Sequence, residues 1–287
     1  MSPRVSRTSV LAAVLGLALT ACAGEAAETT AAVADGDCSP ETLPLVSPGV
    51  LTVATGEPAF PPWVIDDDPT TKEGFESAVT YAVAAELGFA DDEVVWVRTG
   101  FDEVVAPGPK DFDLNIQQYS ITPERDEVVD FSAPYYVTNQ ALVAYADSPI
   151  ADATSVAELR DARLGAQIGT TSLSYIEDVI DPTTPAAVYD TNADAKLALD
   201  ADQIDGLVFD LPTAYYITAA EIPEAAIVGV FEVSEDQADR LGFLMADGSP
   251  LKSCVDAALD TLRSDGALDA LADEWLAQSG ELRTITP

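Results

Sequence analysis

The chain of 287 residues carries a formal net charge of −37 at neutral pH and contains no histidine and three cysteines. Such acidity excludes nucleic acid as a partner, because a polyanion needs a basic face, and it is typical of a solvated, self-repelling surface. The absence of histidine excludes Ser-His-Asp and Cys-His catalysis and the commonest metal ligand. The cysteines of the body lie far apart without a CxxC neighbour, so we expect no metal site. No GxxxxGK[ST] or GxGxxG motif occurs, and we expect no cofactor.

The N-terminus has the features of an export signal. Arg4 and Arg7 precede an apolar run at 10–21, which is shorter than the roughly 20 residues that span a membrane. The run ends in the letters LTAC, which resemble the lipobox of bacterial lipoproteins. We therefore predict a signal peptide over residues 1–21 and a lipid on Cys22. The alternative is an ordinary signal peptide with an incidental cysteine.

The part of the chain after the predicted lipid differs in composition from the rest. Residues 22–37 are rich in Ala, Thr and Glu without apolar periodicity, which predicts a disordered tether. Residues 38–287 are long enough for one large domain or two lobes. An even pair of cysteines in an exported chain, Cys38 and Cys254, favours a disulfide, with two free buried thiols as the alternative.

Strand-like and helix-like segments alternate along the first part of the body, which indicates an α/β protein. β-branched runs predict strands at 50–54, 94–97 and 112–116. Apolar residues at helical spacing predict a helix at 75–87, which Gly88 ends. A further apolar run at 141–145 is a candidate for a crossing between lobes.

A second cycle of elements follows. The pattern predicts helices at 155–160, 171–179, 192–199 and 212–219, strands at 164–168, 186–189 and 206–209, and a return crossing at 226–233. The segment 249–276 reads as one or two helices broken at Gly266, with a buried stripe formed by Leu251, Val255, Ala258, Leu259 and Leu262. We expect lobe 1 to comprise 38–139 and 233–287 and lobe 2 to comprise 140–232, with a cleft between them.

Five segments, in this order, carry a resemblance to a known family. They read GVLTVATGEPAFPPW, EGFESAVTYAVAAELGF, FDLNIQQYSITPERDEVVDFSAPYY, GAQIGTTSLSYI and DGLVFDLPTAYYI. Over about 50–276 the chain resembles the periplasmic amino-acid-binding proteins of ABC importers, the polar amino acid solute-binding protein family 3. The resemblance implies an α/β, two-lobed type II periplasmic-binding-protein fold, with a mixed sheet flanked by helices in each lobe and two crossover hinge segments.

The same resemblance implies a function and its partners. The chain is expected to capture an amino acid or a similar zwitterion outside the cytoplasm and to deliver it to a permease and its ATPase. It would do so as a monomer anchored to the cell membrane by its lipid. One alternative is a dehydratase-like enzyme on the same fold, with Glu57 recruited as a carboxylate base. Another is a ligand-sensing partner module.

Residues that would bind a zwitterion follow from motif matches. Arg125, in ITPER, matches the clamp for the ligand carboxylate, since a guanidinium offers a planar two-pronged donor. The alternative is a surface ion pair with Glu124 or Asp126. Thr170 and Thr171 open a helix whose free N–H groups can bind the same carboxylate, although simple capping also explains them.

The remaining candidates concern the ammonium group and the side chain of the ligand. Asp210, in VFDLP, matches the acceptor for the ammonium group but could merely cap a helix. A hydroxyl from Ser120 and the carbonyl of Gln118 would assist it. Glu57 would favour a cationic side chain. Three aromatic residues, which could instead belong to the core, match a sandwich around the ligand's apolar part: Phe60, Trp63 and Phe101.

Overall fold

The computed structural model of the protein describes residues 38–234, 237–276 and 282–287, which all lie in one compact unit, Ala32–Pro287. The predicted signal peptide, the tether and the lipid on Cys22 lie outside the described residues. A search of the described helices finds none that is long and apolar enough to cross a membrane.

Short strands dominate the described part of the chain. Most strands predicted from β-branched runs are found within two residues of their expected bounds, while several strands of two or three residues had no recognisable pattern. In chain order the strands are β1 (Leu51–Gly56), β2 (Val94–Thr99), β3 (Leu114–Asn115), β4 (Val129–Phe131), β5 (Tyr136–Thr138), β6 (Gln140–Tyr145), β7 (Leu164–Gln167), β8 (Ala187–Tyr189), β9 (Gly206–Asp210), β10 (Ala225–Phe231), β11 (Asp239–Leu241), β12 (Leu244–Ala246) and β13 (Thr284–Ile285).

The helices agree with the apolar periodicity. The helix predicted at 155–160 is a short 3₁₀ turn, Val156–Leu159, and the helices that begin as α3 and α5 continue as π-helical turns to Ile180 and Glu221. The α-helices are α1 (Phe75–Glu86), α2 (Pro123–Asp126), α3 (Thr171–Ser174), α4 (Asn192–Asp200), α5 (Leu211–Tyr216), α6 (Lys252–Ser264) and α7 (Ala267–Trp275).

The first sheet has the strand order β2-β1-β3-β12-β4. Strand β1 is parallel to β2 and β3, and β12 is antiparallel to its neighbours. All six residues of β1 are buried, as expected for a central strand covered on both faces. Helices α1, α6 and α7 contact one another beside this sheet. The predicted stripe of α6, with Leu251 just before it, lies in their shared core, and Gly266, at φ +75°, separates α6 from α7 in a conformation that suits glycine.

The second sheet has the order β13-β10-β6-β9-β7-β8. Parallel pairs β8-β7-β9 form one side, and antiparallel pairing of β6 with β9 and β10 forms the other. The apolar runs expected to cross between lobes, at 141–145 and 226–233, therefore lie mainly within this sheet as β6 and β10. Their apolar character reflects a central position in the sheet, where both faces are covered.

A separate two-stranded ribbon carries the chain between the two sheets. Strand β5 links β4 to β6, and its antiparallel partner β11 lies between β10 and β12 in the chain. The chain thus passes from the first sheet to the second and back through two adjacent strands. The part of the molecule built on the first sheet is called the first lobe below, and the part built on the second sheet the second lobe.

Two features tie the ends of the body together. Cys38 and Cys254 form a disulfide, with their Cα atoms 5.6 Å apart, which confirms the predicted pair and fixes the start of the described chain to α6. Strand β13 pairs with β10, so the last residues join the second sheet, whereas the expected range 233–287 assigned them to lobe 1. The buried side chains of Phe231 and Ile285 lie in the core of the second lobe and hold this edge strand there.

Candidate functional site

A cavity of about 180 Å³ lies between the two lobes. It is lined by the end of β1, the loop after β3 and the β5–β11 ribbon, and from the second lobe by the residues around the starts of α3, α4 and α5. The structure brings together at this cavity all the predicted ligand-binding residues except Trp63, namely Glu57, Phe60, Phe101, Gln118, Ser120, Arg125, Thr170, Thr171 and Asp210.

Arg125 lies in α2 with only 8% of its surface exposed. Its Nη1 donates to the carbonyl of Ser120 at 2.6 Å, and its Nη2 donates to the carbonyl of Gly169 in the second lobe at 2.7 Å. None of the ion pairs among the described residues involves Arg125. The predicted alternative, a surface ion pair with Glu124 or Asp126, is therefore not found there. Because a guanidinium has five N–H groups, donors remain for an anion in the cavity.

The start of α3 contributes two hydroxyl groups with different environments. Thr170 is the N-cap: its Oγ1 accepts from the N–H of Leu173 at 3.2 Å and donates to the carbonyl of Gln167 at 2.7 Å. Thr171 directs its Oγ1 to within 3.2 Å of the Ser120 hydroxyl of the first lobe. Thr170 thus serves as a cap, as the simpler interpretation expected, and Thr171 faces the opposite lobe.

Asp210 ends β9 and caps α5. Its Oδ1 accepts from the N–H of Thr213 at 2.9 Å. Burial raises the pKa of Asp210 to about 6, against the lowering effect of the hydrogen bonds from Thr213. A carboxylate has about four acceptor positions, so a capping Asp210 can still accept hydrogen bonds from a cation in the cavity. The cap and the predicted binding role are compatible.

A buried acid that sequence reasoning missed lies behind the first-lobe wall. Glu76, in the first turn of α1, is fully buried and accepts from the N–H of Gln118 at 2.7 Å and from the hydroxyl of Tyr135 at 2.5 Å. The side-chain amide of Gln118 also donates to it. Burial raises the pKa of Glu76 to about 7, and these three hydrogen bonds lower it. Glu76 thereby holds Gln118, whose φ is +50°, against the cavity.

The aromatic candidates divide into two groups. Phe60 and Phe101 line the cavity, and Phe101 stacks on Tyr119 with ring centroids 4.7 Å apart and lies 5.7 Å from the Arg125 guanidinium carbon. Trp63, which was predicted to sandwich the ligand, does not line the cavity. It is 1% exposed and packs in the first-lobe core against Phe75.

Two acidic residues that were not predicted, Asp190 and Asp239, also line the cavity. Together with Glu57 and Asp210, the lining therefore includes four acidic residues and one arginine. Asp239, on β11, accepts from the side-chain amide of Gln140 at 2.7 Å. Its strand has only three residues, which left no periodicity to find. Within the described residues no group of three or more acidic or cysteine side chains is arranged to hold a metal ion.

Comparison with known proteins gives consistent relatives. The chain is 27% identical over 210 residues to the ABC transporter arginine-binding protein 1 of Escherichia coli (strain K12), covering 71% of this chain and 82% of the relative. It is 27% identical over 276 residues to the probable histidine-binding protein of Campylobacter jejuni subsp. jejuni serotype O:2 (strain ATCC 700819 / NCTC 11168), covering 93% and 97%.

A solved structure of an amino-acid-binding protein is also similar to this chain. An ancestral arginine-binding protein bound to arginine superimposes with a TM-score of 0.67 at 27% identity, covering 79% of this chain and 97% of that one. The model of the bacterial extracellular solute-binding proteins, family 3, matches residues 51–278. This range includes both sheets except β13 and the whole lining of the cavity, and the chain therefore belongs to the bacterial extracellular solute-binding proteins, family 3.

Proposed function

We propose that the chain captures an α-amino acid with a cationic side chain in the cavity between its lobes and delivers it to the permease of an ABC importer. The observation that carries the proposal is that Arg125 of the first lobe and Asp210 of the second lobe line the same cavity of about 180 Å³. A zwitterion carries opposite charges on neighbouring groups. Groups of opposite charge on the two walls therefore fit both ends of the ligand at once.

The carboxylate of the ligand is assigned to Arg125. The N–H groups that do not bond Ser120 and Gly169 are available for a charge-assisted hydrogen bond. The hydroxyl of Thr171 lies at the same junction of the lobes, 3.2 Å from that of Ser120. These groups join the two lobes, so a carboxylate bound among them would add contacts to both.

The ammonium group is assigned to Asp210, which lines the wall of the second lobe. When ionised, its carboxylate offers a charge-assisted acceptor while it continues to cap α5. Because Asp210 is half-buried, this attraction is screened less than it would be in bulk water.

The side chain of the ligand is assigned to the acidic part of the lining. With Asp210 engaged by the ammonium group and Arg125 by the carboxylate, three further acidic residues of the lining remain: Glu57, Asp190 and Asp239. A neutral or acidic side chain would leave this negative charge unbalanced, whereas a guanidinium or ammonium group would balance part of it. Two of the relatives described above are named for arginine, which agrees with this preference.

The location of the protein follows from its N-terminus. We infer that residues 1–21 are removed on export and that Cys22 carries a lipid, which would hold the monomeric protein beside its permease on the outer face of the cell membrane. Mass spectrometry of the mature N-terminus tests this inference. A diacylated or triacylated Cys22 supports it, and an unmodified N-terminus at any other residue contradicts it.

The protein is proposed to bind its solute without transforming it. The relatives described above are named as binding proteins. Prolonged incubation with L-arginine should return L-arginine unchanged, as chromatography would detect. Turnover of a bound amino acid would overturn this part of the proposal.

A thermal-shift panel of the twenty L-amino acids tests the function. Ligand at a hundred times its dissociation constant should add about 2.7 kcal/mol to the free energy of unfolding, and L-arginine and L-lysine should give the largest shifts. Agmatine, which lacks the carboxylate, and 5-guanidinopentanoic acid, which lacks the amino group, are the matched controls and should give much smaller shifts. If no L-amino acid raises the melting temperature at millimolar concentration, the proposal is wrong.

A further inference from the structure

The two lobes also touch outside the solute cavity. The indole N–H of Trp63, in the first lobe, donates to the hydroxyl of Thr213, in α5 of the second lobe, at 2.9 Å. Neither residue lines the cavity that holds Arg125 and Asp210. Instead both line a small neighbouring cavity of about 30 Å³. The contact is therefore not part of the proposed solute site itself.

The first lobe holds Trp63 rigidly. The indole contacts Phe75 and, edge-on, Tyr136, with ring centroids 6.1 and 6.4 Å apart. The backbone carbonyl of Trp63 accepts from the N–H of Glu76 at 3.0 Å. A Cβ atom on Gly74 would lie 2.5 Å from that carbonyl oxygen, so glycine is required for this approach. The first lobe thus anchors the backbone of Trp63 and packs against its indole ring.

The indole N–H has its partner on the other lobe. An indole is a donor only, and buried Trp side chains normally find an acceptor for this N–H. The acceptor here is the Thr213 hydroxyl. When the lobes separate, this hydrogen bond is lost and the N–H must turn to water, so the bond contributes only to the arrangement in which the lobes meet.

Thr213 also connects this contact to Asp210. The N–H of Thr213 donates to Oδ1 of Asp210 at 2.9 Å, which fixes the carboxylate at the start of α5. The hydroxyl of Thr213 therefore bonds the first lobe, while its backbone N–H and its side chain both bond the proposed ammonium acceptor. Fixing Thr213 against Trp63 limits the motion of Asp210 relative to the first lobe.

We propose that Trp63 and Thr213 form an interlobe latch that stabilises the closed arrangement of the lobes and positions Asp210, without contacting the solute. Both are positioning residues. The effect on solute affinity rests on the proposed function, whereas the effect on the distance between the lobes does not.

Lobe distance is measured in the full chain by electron spin resonance between bioorthogonal labels at the exposed positions Glu86 and Leu197, one on each lobe. Thr213→Val removes the hydroxyl at nearly constant shape and should raise the ratio of open to closed molecules about threefold to tenfold, the range of one net hydrogen bond. Thr213→Ser keeps the hydroxyl and should restore the wild-type distance distribution. An unchanged distribution in Thr213→Val contradicts the latch.

Affinity for L-arginine, measured by titration calorimetry, provides the second readout. Trp63→Phe and Thr213→Val should each weaken binding about threefold to tenfold, and the double variant should be no weaker than the weaker single variant. Trp96→Phe is the matched control, because its indole N–H bonds Tyr81 within the first lobe; its affinity should be unchanged. Additive losses in the double variant would overturn the latch. If wild type does not bind L-arginine, the proposed ligand fails, and the label distances still decide whether the latch exists.

Discussion

Arg125 is held in place by neutral backbone carbonyls, one from each lobe, and not by a carboxylate of the described chain. Its charge is therefore not cancelled by a direct partner, although acidic residues surround it. A buried cation without a bonded anion is costly, and burial accordingly lowers the pKa of Arg125. An incoming carboxylate would remove this cost, which gives a physical reason for the ligand's orientation with its carboxylate at Arg125.

The proposed role of Asp210 predicts that binding depends on pH. Burial raises the pKa of Asp210 to about 6, and only the ionised carboxylate attracts an ammonium group. As the pH falls through about 6, protons compete with the ligand, so the affinity for L-arginine should fall by up to about tenfold per pH unit. Titration calorimetry between pH ~7.5 and ~5 measures this dependence.

The control for this prediction is Asp210→Asn, which retains a side-chain oxygen to cap α5 and loses the titrating charge. We expect weak binding with little pH dependence over the same range. A wild-type affinity that is constant down to pH ~5 would show that Asp210 does not hold the ammonium group.

At the scale of elements, the start of α1 supports the site from behind. Glu76 joins α1 to Gln118 of the cavity wall and to Tyr135 before β5. Three elements of the first lobe are thus fixed around one buried carboxyl group. Its hydrogen bonds satisfy the carboxylate, but its burial favours the protonated form, and the balance raises its pKa to about 7.

This raised pKa makes stability depend on pH with a definite sign. The native state holds the proton of Glu76 more tightly than the unfolded state, in which the pKa of this carboxyl group is 4.5. The contribution of the proton to stability is complete below about 4.5 and is lost as the pH rises through about 7. Relative to Glu76→Gln, the free energy of unfolding of wild type should therefore decrease by about 3 kcal/mol across this window. Denaturant titrations at a series of pH values measure the difference.

Glu86→Gln, at the exposed end of the same helix, is the matched control. Its free energy of unfolding should follow that of wild type across the same pH range. A difference between wild type and Glu76→Gln that stays constant with pH would contradict the assigned titration of Glu76.

The elements found from sequence are those with local patterns. The apolar stripe of α6 and the β-branched run of β1 repeat with the period of their own structure, so their positions follow from the chain alone. Strands β4, β5, β11 and β12 have three residues each and are defined by partners distant in sequence. No local pattern specifies such pairing, and the ribbon that connects the lobes was therefore missed.

The same distinction applies to the site. Arg125 and Asp210 were found because they belong to motifs that resemble a family, and the structure brings both to one cavity. Asp239 was missed because its strand was missed. Trp63 was placed at the ligand because it matched the aromatic sandwich of the family, but its indole packs against Phe75 in the first-lobe core and donates to Thr213 of the second lobe.

At the scale of the whole molecule, the Cys38–Cys254 disulfide closes a loop with a sequence separation of 216. Loop entropy for such a separation suggests that the Cys38→Ala, Cys254→Ala variant loses about 3–5 kcal/mol in its free energy of unfolding. Chemical denaturation measures this loss. Affinity for L-arginine should be unchanged, because the bond lies in the first-lobe core, away from the cavity lining.

Ser253→Ala is the control for the disulfide, since its exposed side chain precedes Cys254 on α6. Its stability should be close to that of wild type. A loss of less than ~1 kcal/mol in the free energy of unfolding of the double cysteine variant would contradict the stabilising role of the disulfide.

At this scale, the proposed capture of a solute depends on one charged group that meets the ligand between the lobes. Titration calorimetry of L-arginine against wild type, Arg125→Ala and Arg160→Ala tests it most directly, Arg160 being an exposed arginine outside the cavity. Removing one partner of a desolvated ion pair costs about 3–5 kcal/mol, so Arg125→Ala should bind roughly two to four decades more weakly, with Arg160→Ala unchanged. A loss of less than about fivefold in Arg125→Ala would contradict the account.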